Sequence, residues 1–259
     1  MVKTSLYLVS LGVKKPDAFD EFATSWWSAV EKMKPMPDEI VICATIGNNC
    51  KILEIPLFAK NRTSIVNVNH NETMSAHLNT AVDNCKGKWI SWIGIDDLPL
   101  ENLFSSVETA EKKKCEVILS GIKTTSGQVI FSNWERLAIS SNNTVMSNTV
   151  CTKNLWEKAG GYPDVYFNDW GFWIHCFSLN PKIYKTQHIT MLFNDSETHI
   201  RRSGQNNRDK FKAGILEIEK IKSNLNLKSK LRIKIVILIE KLIDRSKILI
   251  KIFKSRSNF

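Results

Sequence analysis

Apolar positions along this chain fall into two rhythms, one of short β-rich runs and one of helical stripes. Ser5–Leu11 and Glu39–Thr45 are runs of the first kind and predict strands, the second stopped by Gly47-Asn48-Asn49. Ile52–Ile55 and Ser64–Val68 are shorter runs that predict two more strands. Between them, Pro16-Asp17 opens a helix with Ala18, Phe22, Ala29, Val30 and Met33 on one stripe, ended by Pro35 and Pro37. Met74, Leu78, Ala81, Val82 and Cys85 form a second stripe, closed by Gly87. Lys88–Ile95 then carries two tryptophans and three isoleucines in eight residues, which predicts a strand buried on both faces. It ends in Asp96-Asp97, Pro99 blocks its continuation, and a helix is predicted from near Glu101 to Lys113.

After Glu116 the pattern changes. Val117–Thr124 and Gln128–Asn133 flank Thr125-Ser126-Gly127 and predict a hairpin. Residues 134–150 are polar and irregular, as suits a loop over a site. A short strand (Asn148–Thr152), a short helix (Lys153–Ala159) stopped by Gly160-Gly161, an aromatic-rich helix start (Phe167–Phe177) and a strand (Lys182–Phe193) follow. Strand–helix alternation of this kind predicts an α/β domain with a mostly parallel sheet covered by helices. There is no internal repeat, no G-x-G-x-x-G and no G-x-x-x-x-G-K-[ST], which argues against a dinucleotide-binding site or a P-loop.

Charge divides the 259 residues unevenly. Arg208–Phe259 holds fifteen Lys/Arg and five Asp/Glu, so that segment carries the whole net charge of +10 and the body before it is neutral. In the tail, Leu231, Ile235, Leu238, Leu242, Leu249 and Phe253 share one helical stripe, while Lys234, Glu240, Lys241, Asp244, Lys247 and Lys251 mostly occupy other faces. Its longest unbroken apolar run is Ile235–Ile239, far short of the ~20 residues that span a bilayer. A basic amphipathic helix of this type predicts attraction to an anionic membrane surface; the alternative is packing on its own domain or on a second subunit. The six cysteines show no C-x-x-C pair, a reduced cytosolic pattern, and the N-terminus reads as a first strand rather than a signal peptide. The expected location is therefore cytoplasmic, peripheral at the inner face of the membrane.

The chemistry centres on Asp96-Asp97. Paired carboxylates at the C-terminal end of a buried strand stand where open α/β sheets bind ligands, and they repel each other unless a cation lies nearby. Oxygen-only ligation suits Mg²⁺ or Mn²⁺ carrying a phosphate. The alternative is that the two residues turn the chain and cap the following helix.

Taken in order, HLNTAVDNCKGKWI, IGIDD, KNLWEKAGGYPDVYFNDWGFWIHC and a late HIRRS resemble the inverting family 2 glycosyltransferases of GT-A fold, over about Ser5 to Ser203. The resemblance implies a GT-A-like (Rossmann-like) single domain over residues 1–207, with a nucleotide-sugar-binding half (1–115) and an acceptor-binding half (116–207), before the basic tail (208–259). It implies that Asp96 and Asp97 bind a divalent ion, Mn²⁺ or Mg²⁺, and the diphosphate of a nucleotide-sugar donor, a UDP-sugar first. It makes Asp169 the general base, places Asn79 and Arg201-Arg202 near the donor, and adds His199 to the metal site. Gly94 stands where the family often has its first Asp, Leu78 replaces an Arg, and Asn168 replaces the first acid of the E-D motif. Asp169 could also cap the helix at Trp170, and Trp170, Phe172 and Trp173 could stack on an acceptor sugar or pack in the core.

The implied function is transfer of a sugar, with inversion, to a glycan or lipid-linked acceptor at the membrane surface, as in polysaccharide biosynthesis. Two other readings are a degenerate GT-A fold kept as a binding module, and a glycosyltransferase acting on modified DNA. The apolar stripe of the tail argues against a nucleic-acid clamp, which needs Lys/Arg but no large apolar side chains in register.

Overall fold

A computed structural model describes residues 3–10, 16–44, 51–69, 71–195, 208–231, 233–235 and 238. Strand β1 (Thr4–Ser10) lies inside the sheet. It pairs in parallel with β2 (Glu39–Ala44) on one side and β4 (Trp89–Trp92) on the other, and β3 (Thr63–Asn67) continues the parallel set beyond β2. Beyond β4 the sheet becomes mixed. The antiparallel strand β8 (Val150–Thr152) links β4 to β6 (Val117–Thr124). Strand β6 runs parallel to β9 (Ile183–Phe193) and forms a hairpin with β7 (Val129–Phe131), and β5 (Leu98–Pro99) pairs with the end of β9.

Strand alternation distributes the apolar side chains to two helical layers. Leu6, Leu8, Ile40 and Ile42 meet Trp26 and Val30 of α1 (Pro16–Glu31). Tyr7, Val9, Val41 and Cys43 face the opposite way, toward Leu78 and Val82 of α2 (Met74–Asn84). That second layer also holds α4 (Lys153–Ala159) and α5 (Asn168–Leu179). The first carries the short α3 (Val107–Lys112). Trp26 and Trp89 are fully enclosed on the first face, where truncation of a large aromatic costs about 3–5 kcal/mol.

Three sequence expectations need correction. Ile52–Ile55 is no strand: Lys51–Leu53 forms a 3₁₀ turn that buries Ile52. A run of four residues with three apolar side chains carries no period long enough to decide between the two. Lys88–Ile95 is extended only over Trp89–Trp92, all four buried. The helix expected from Glu101 is confined to Val107–Lys112, because Pro99 is held in β5 and Leu100 N donates to Thr190 O at 3.0 Å. The chain then winds through i→i+3 bonds at Leu103, Ser105 and Val107 before α3 starts.

The basic segment opens with α6 (Arg208–Ser223), which packs on α5 and buries Ile218 completely. Residues 227–231 are again helical, and here Leu227, Leu231, Ile235 and Leu238 are exposed beside Lys228, Lys230 and Lys234. Leu242, Leu249 and Phe253 of the expected stripe lie outside the described residues. Among the described residues no helix is long and apolar enough to cross a membrane.

Candidate active site

The acid pair stands on a tight turn just past β4. Asp97 N donates to Gly94 O at 3.2 Å, closing the turn, and Asp97 Oδ1 accepts from Asn194 N at 3.0 Å. The turn is thus tied to the end of β9. Asp97 is buried and Asp96 half-buried. Neither caps a helix, since α3 begins ten residues later, at Val107. A Cβ at position 94 would lie 2.7 Å from Asp96 Oδ1 and 3.8 Å from Asp97 Oδ2. Glycine therefore leaves the space that the Asp96 carboxylate occupies, with Asp97 Oδ2 at ordinary contact distance. Two carboxylates sharing one space repel unless a cation neutralises them. Among the described residues, no group of three or more His, Cys, Asp or Glu could hold a metal ion. By its chemistry, a pair of carboxylates is a donor set of the kind that holds a hard divalent cation completed by substrate phosphates and water.

Beside this turn opens a cleft of about 770 Å³. Met74 at the head of α2, Trp92 at the end of β4, Phe193 at the end of β9 and Asp169 at the head of α5 all line it. Asp96 and Asp97 are not among the residues lining the cleft; Asp97 accepts from Asn194 N, one residue past the lining Phe193. Helix α6 supplies a wall through Phe211, Ile215 and Glu217, and Glu217 Oε2 accepts from Tyr166 N at 3.0 Å.

Asp169 is half-buried in the first turn of α5, where the helix dipole favours a carboxylate. It is not the N-cap, a position taken by Phe167 without a side-chain cap bond. Its Oδ1 accepts from Trp170 N at 2.8 Å and its Oδ2 from Asn143 Nδ2 at 3.0 Å. Both oxygens are held, and each keeps lone-pair capacity for a further donor. Asn168 is buried in the cleft wall and donates to Ser75 Oγ, also in the lining, at 3.3 Å. Trp170, Phe172 and Trp173 are all buried, and only Trp170 of the three lines the cleft.

Asn79 has a different setting. Its Nδ2 donates to Tyr162 O at 3.0 Å and its Oδ1 accepts from Tyr162 N at 2.8 Å. It braces α2 to the Gly160-Gly161 turn, and it is not among the residues lining the cleft. Gly161 has φ of 73° and a Cβ there would meet Asn79 Oδ1 at 2.7 Å, so the brace requires glycine on both counts. The Tyr162 hydroxyl meets that of Tyr7 at 2.5 Å, and burial drives both phenols well above their ordinary ionisation range. His199, Arg201 and Arg202 lie outside the described residues.

Sequence reading did not single out Asn143 or the wall formed by α6. A polar loop asparagine has no periodic signal. The helix did have one: Phe211, Ile215, Ile218, Ile221 and Leu225 recur at spacings of 4, 3, 3 and 4 within the basic segment.

No protein-family model matches the sequence, and no curated protein matches it. Solved structures do match. S. aureus TarS 1–349 in complex with UDP-GlcNAc superposes with a TM-score of 0.67 at 13% identity, covering 89% of this chain and 69% of that one. Against a longer S. aureus TarS chain the TM-score is 0.62 and the share of that chain is 41%. The mannosyltransferase PcManGT from Pyrobaculum calidifontis, in complex with GDP-Man and Mn²⁺, gives a TM-score of 0.57 at 13% identity, over 92% of this chain and 73% of that one. The chain has the GT-A type of fold that these two glycosyltransferases share.

Proposed function

We propose that this protein is an inverting, metal-dependent glycosyltransferase that takes its sugar from a nucleotide-sugar donor. One observation carries the reading: in a GT-A fold, a held carboxylate, Asp169, lines a 770 Å³ cleft that reaches Phe193, and Asp97 is bonded to the next residue, Asn194. Inverting transfer is a single displacement. The acceptor oxygen forms a bond to the anomeric carbon as the bond to the diphosphate breaks, and the electron pair leaves with the diphosphate. The hydroxyl proton must go to a base in the same step, and the role is assigned to Asp169, a cleft carboxylate with both oxygens held by hydrogen bonds. Asp96 and Asp97 would hold Mn²⁺ or Mg²⁺, which when bound neutralises charge on the leaving diphosphate. Arg201, Arg202 and His199 are assigned to the same leaving group by the resemblance. The bound UDP-GlcNAc and GDP-Man of the structural neighbours support a nucleotide-sugar donor and make those two the first to try.

The acceptor is assigned to a glycan or lipid-linked saccharide at an anionic membrane surface. Leu227, Leu231, Ile235 and Leu238 stand exposed among lysines, a combination that suits the headgroup boundary of a bilayer better than a phosphate backbone. The test is nucleotide release from UDP-GlcNAc and GDP-mannose with Mn²⁺ or EDTA. Metal-dependent release of UDP or GDP supports the reading. No release and no binding of either donor would sink it and leave a GT-A-fold binding module.

A further inference from the structure

Asp169 is fastened by groups outside the strand–helix half that carries the acid pair. Asn143, in the irregular stretch after β7, gives Nδ2 to Asp169 Oδ2 at 3.0 Å, while its Oδ1 accepts from Val145 N at 3.1 Å. The second bond fixes which end of the amide faces the carboxylate. Lys222 of α6 touches both segments that carry this pair. Its Nζ donates to Ser140 O at 3.0 Å, three residues before Asn143, and lies 4.9 Å from the ring centroid of Trp170, the residue after Asp169. Only 11% of the Lys222 side chain is exposed, and Glu219 Oε1 at 2.7 Å balances its charge.

We propose that Asn143 and Lys222 are positioning residues for Asp169. Asn143 selects the orientation of the carboxylate, and Lys222 holds the loop bearing Asn143 against the helix bearing Asp169. The inference rests on Asp169 being the general base. A carboxylate on two rotatable bonds sweeps several orientations, and an error of about 1 Å in a reacting group costs on the order of 10²-fold in rate. In the E-D motif of the resemblance an acid precedes the base; here Asn168 is turned to Ser75, and a neutral amide from a different loop holds the base without adding a like charge. Helix α6 thereby belongs to the catalytic apparatus as well as to the connection with the membrane-facing segment.

The experiment compares wild type, N143A, K222M, K222R and D169N by UDP release from UDP-GlcNAc with Mn²⁺, with hydrogen exchange read over residues 140–146. N143A should lower kcat by about 10- to 100-fold with KM for the donor within about twofold. K222M should lower kcat less and speed exchange over 140–146, and K222R should restore most of both. Wild-type kcat in N143A and K222M, beside an inactive D169N, would overturn the inference and leave the base assignment standing. An active D169N would instead remove the base assignment itself. Unchanged exchange in both N143A and K222M would contradict the clamp whichever donor is used.

Discussion

The side-chain amide of Asn79 accepts from the backbone N–H of Tyr162 at 2.8 Å and donates to the C=O of the same residue at 3.0 Å, a ring of two hydrogen bonds between α2 and the turn that leads toward α5. The ring locks α2 to the segment that leads to Asp169. Asn79→Ala leaves a buried peptide without its partners, and each orphaned group costs about 1–3 kcal/mol. The expected loss is about 2–4 kcal/mol, or a melting temperature lower by roughly 5–15 °C. Donor affinity should fall little if Asn79 acts only as a brace. A variant with unchanged melting temperature and much weaker donor binding would give Asn79 the direct donor contact that the resemblance implies.

The acid pair yields a second expectation. Asp96→Ala and Asp97→Asn should each abolish the Mn²⁺-dependent part of the thermal shift produced by a nucleoside diphosphate. Stabilisation by a ligand grows with its concentration over its Kd, about 2.7 kcal/mol at a hundredfold excess, so loss of the site is readily seen. Asp97→Asn also keeps an acceptor for Asn194 N, which separates loss of charge from loss of the turn. A metal-dependent shift that survives in both variants would place the ion elsewhere.

Position 94 offers a steric check. Gly94→Asp restores the residue often found there in the family, but its Cβ must displace the Asp96 carboxylate. The variant should bind Mn²⁺ with nucleotide more weakly than wild type. Tighter binding would mean that the glycine is a lost ligand rather than a space for Asp96.

Alkaline pH should weaken the fold. Burial pushes the thiols of Cys43 and Cys85 up to about 12 from an ordinary 9.0, and raises the hydroxyls of Tyr7 and Tyr162 as well. A raised folded-state value means that the unfolded chain loses its protons first as pH climbs. This stability is complete below pH 9.0 and is lost as pH rises from there toward about 12. Thermal melts across that window should show a falling transition, and the double variant C43A/C85A should fall less steeply. Equal slopes for the two proteins would show that other groups govern the alkaline limb.

The exposed leucines make the membrane assignment testable without any knowledge of the acceptor. Wild type should sediment with phosphatidylglycerol vesicles and far less with phosphatidylcholine vesicles, and salt should weaken the binding. Each leucine withdrawn from water contributes about 1.5–3 kcal/mol, so Leu227→Glu with Leu231→Glu should reduce partitioning by about a hundredfold or more. Equal sedimentation of the double variant would assign the exposed face to a protein partner.

Local chemistry explains which parts could be read from sequence. The limits of α4 at Lys153 and Ala159 follow from Thr152, whose hydroxyl accepts from Leu155 N, and from Gly160 in the left-handed region. The strand before Asp96 was marked by its tryptophans and isoleucines, because a strand covered on both sides tolerates no polar alternation. Ile52 offered no comparable signal, since three apolar residues in a run of four fit a strand or a turn equally well. Asn143 was invisible because its partner lies 26 residues away and nothing in a polar loop marks one amide among several. Helix α6 was assigned to a tail by its charge, yet the apolar stripe from Phe211 to Leu225 already prescribed a buried face. Charge counts describe a surface; periodicity describes what lies beneath it.

Asp169→Asn tests the central claim most directly. The amide keeps the shape of the side chain and its place in the first turn of α5, but it cannot take a proton from an acceptor hydroxyl. With UDP-GlcNAc or GDP-mannose and Mn²⁺, the variant should retain the metal-dependent thermal shift of wild type and lose transfer by about 10²-fold or more. Transfer at the wild-type rate would contradict the account, and the base would have to be sought among the other carboxylates of the cleft, Asp164 and Glu217.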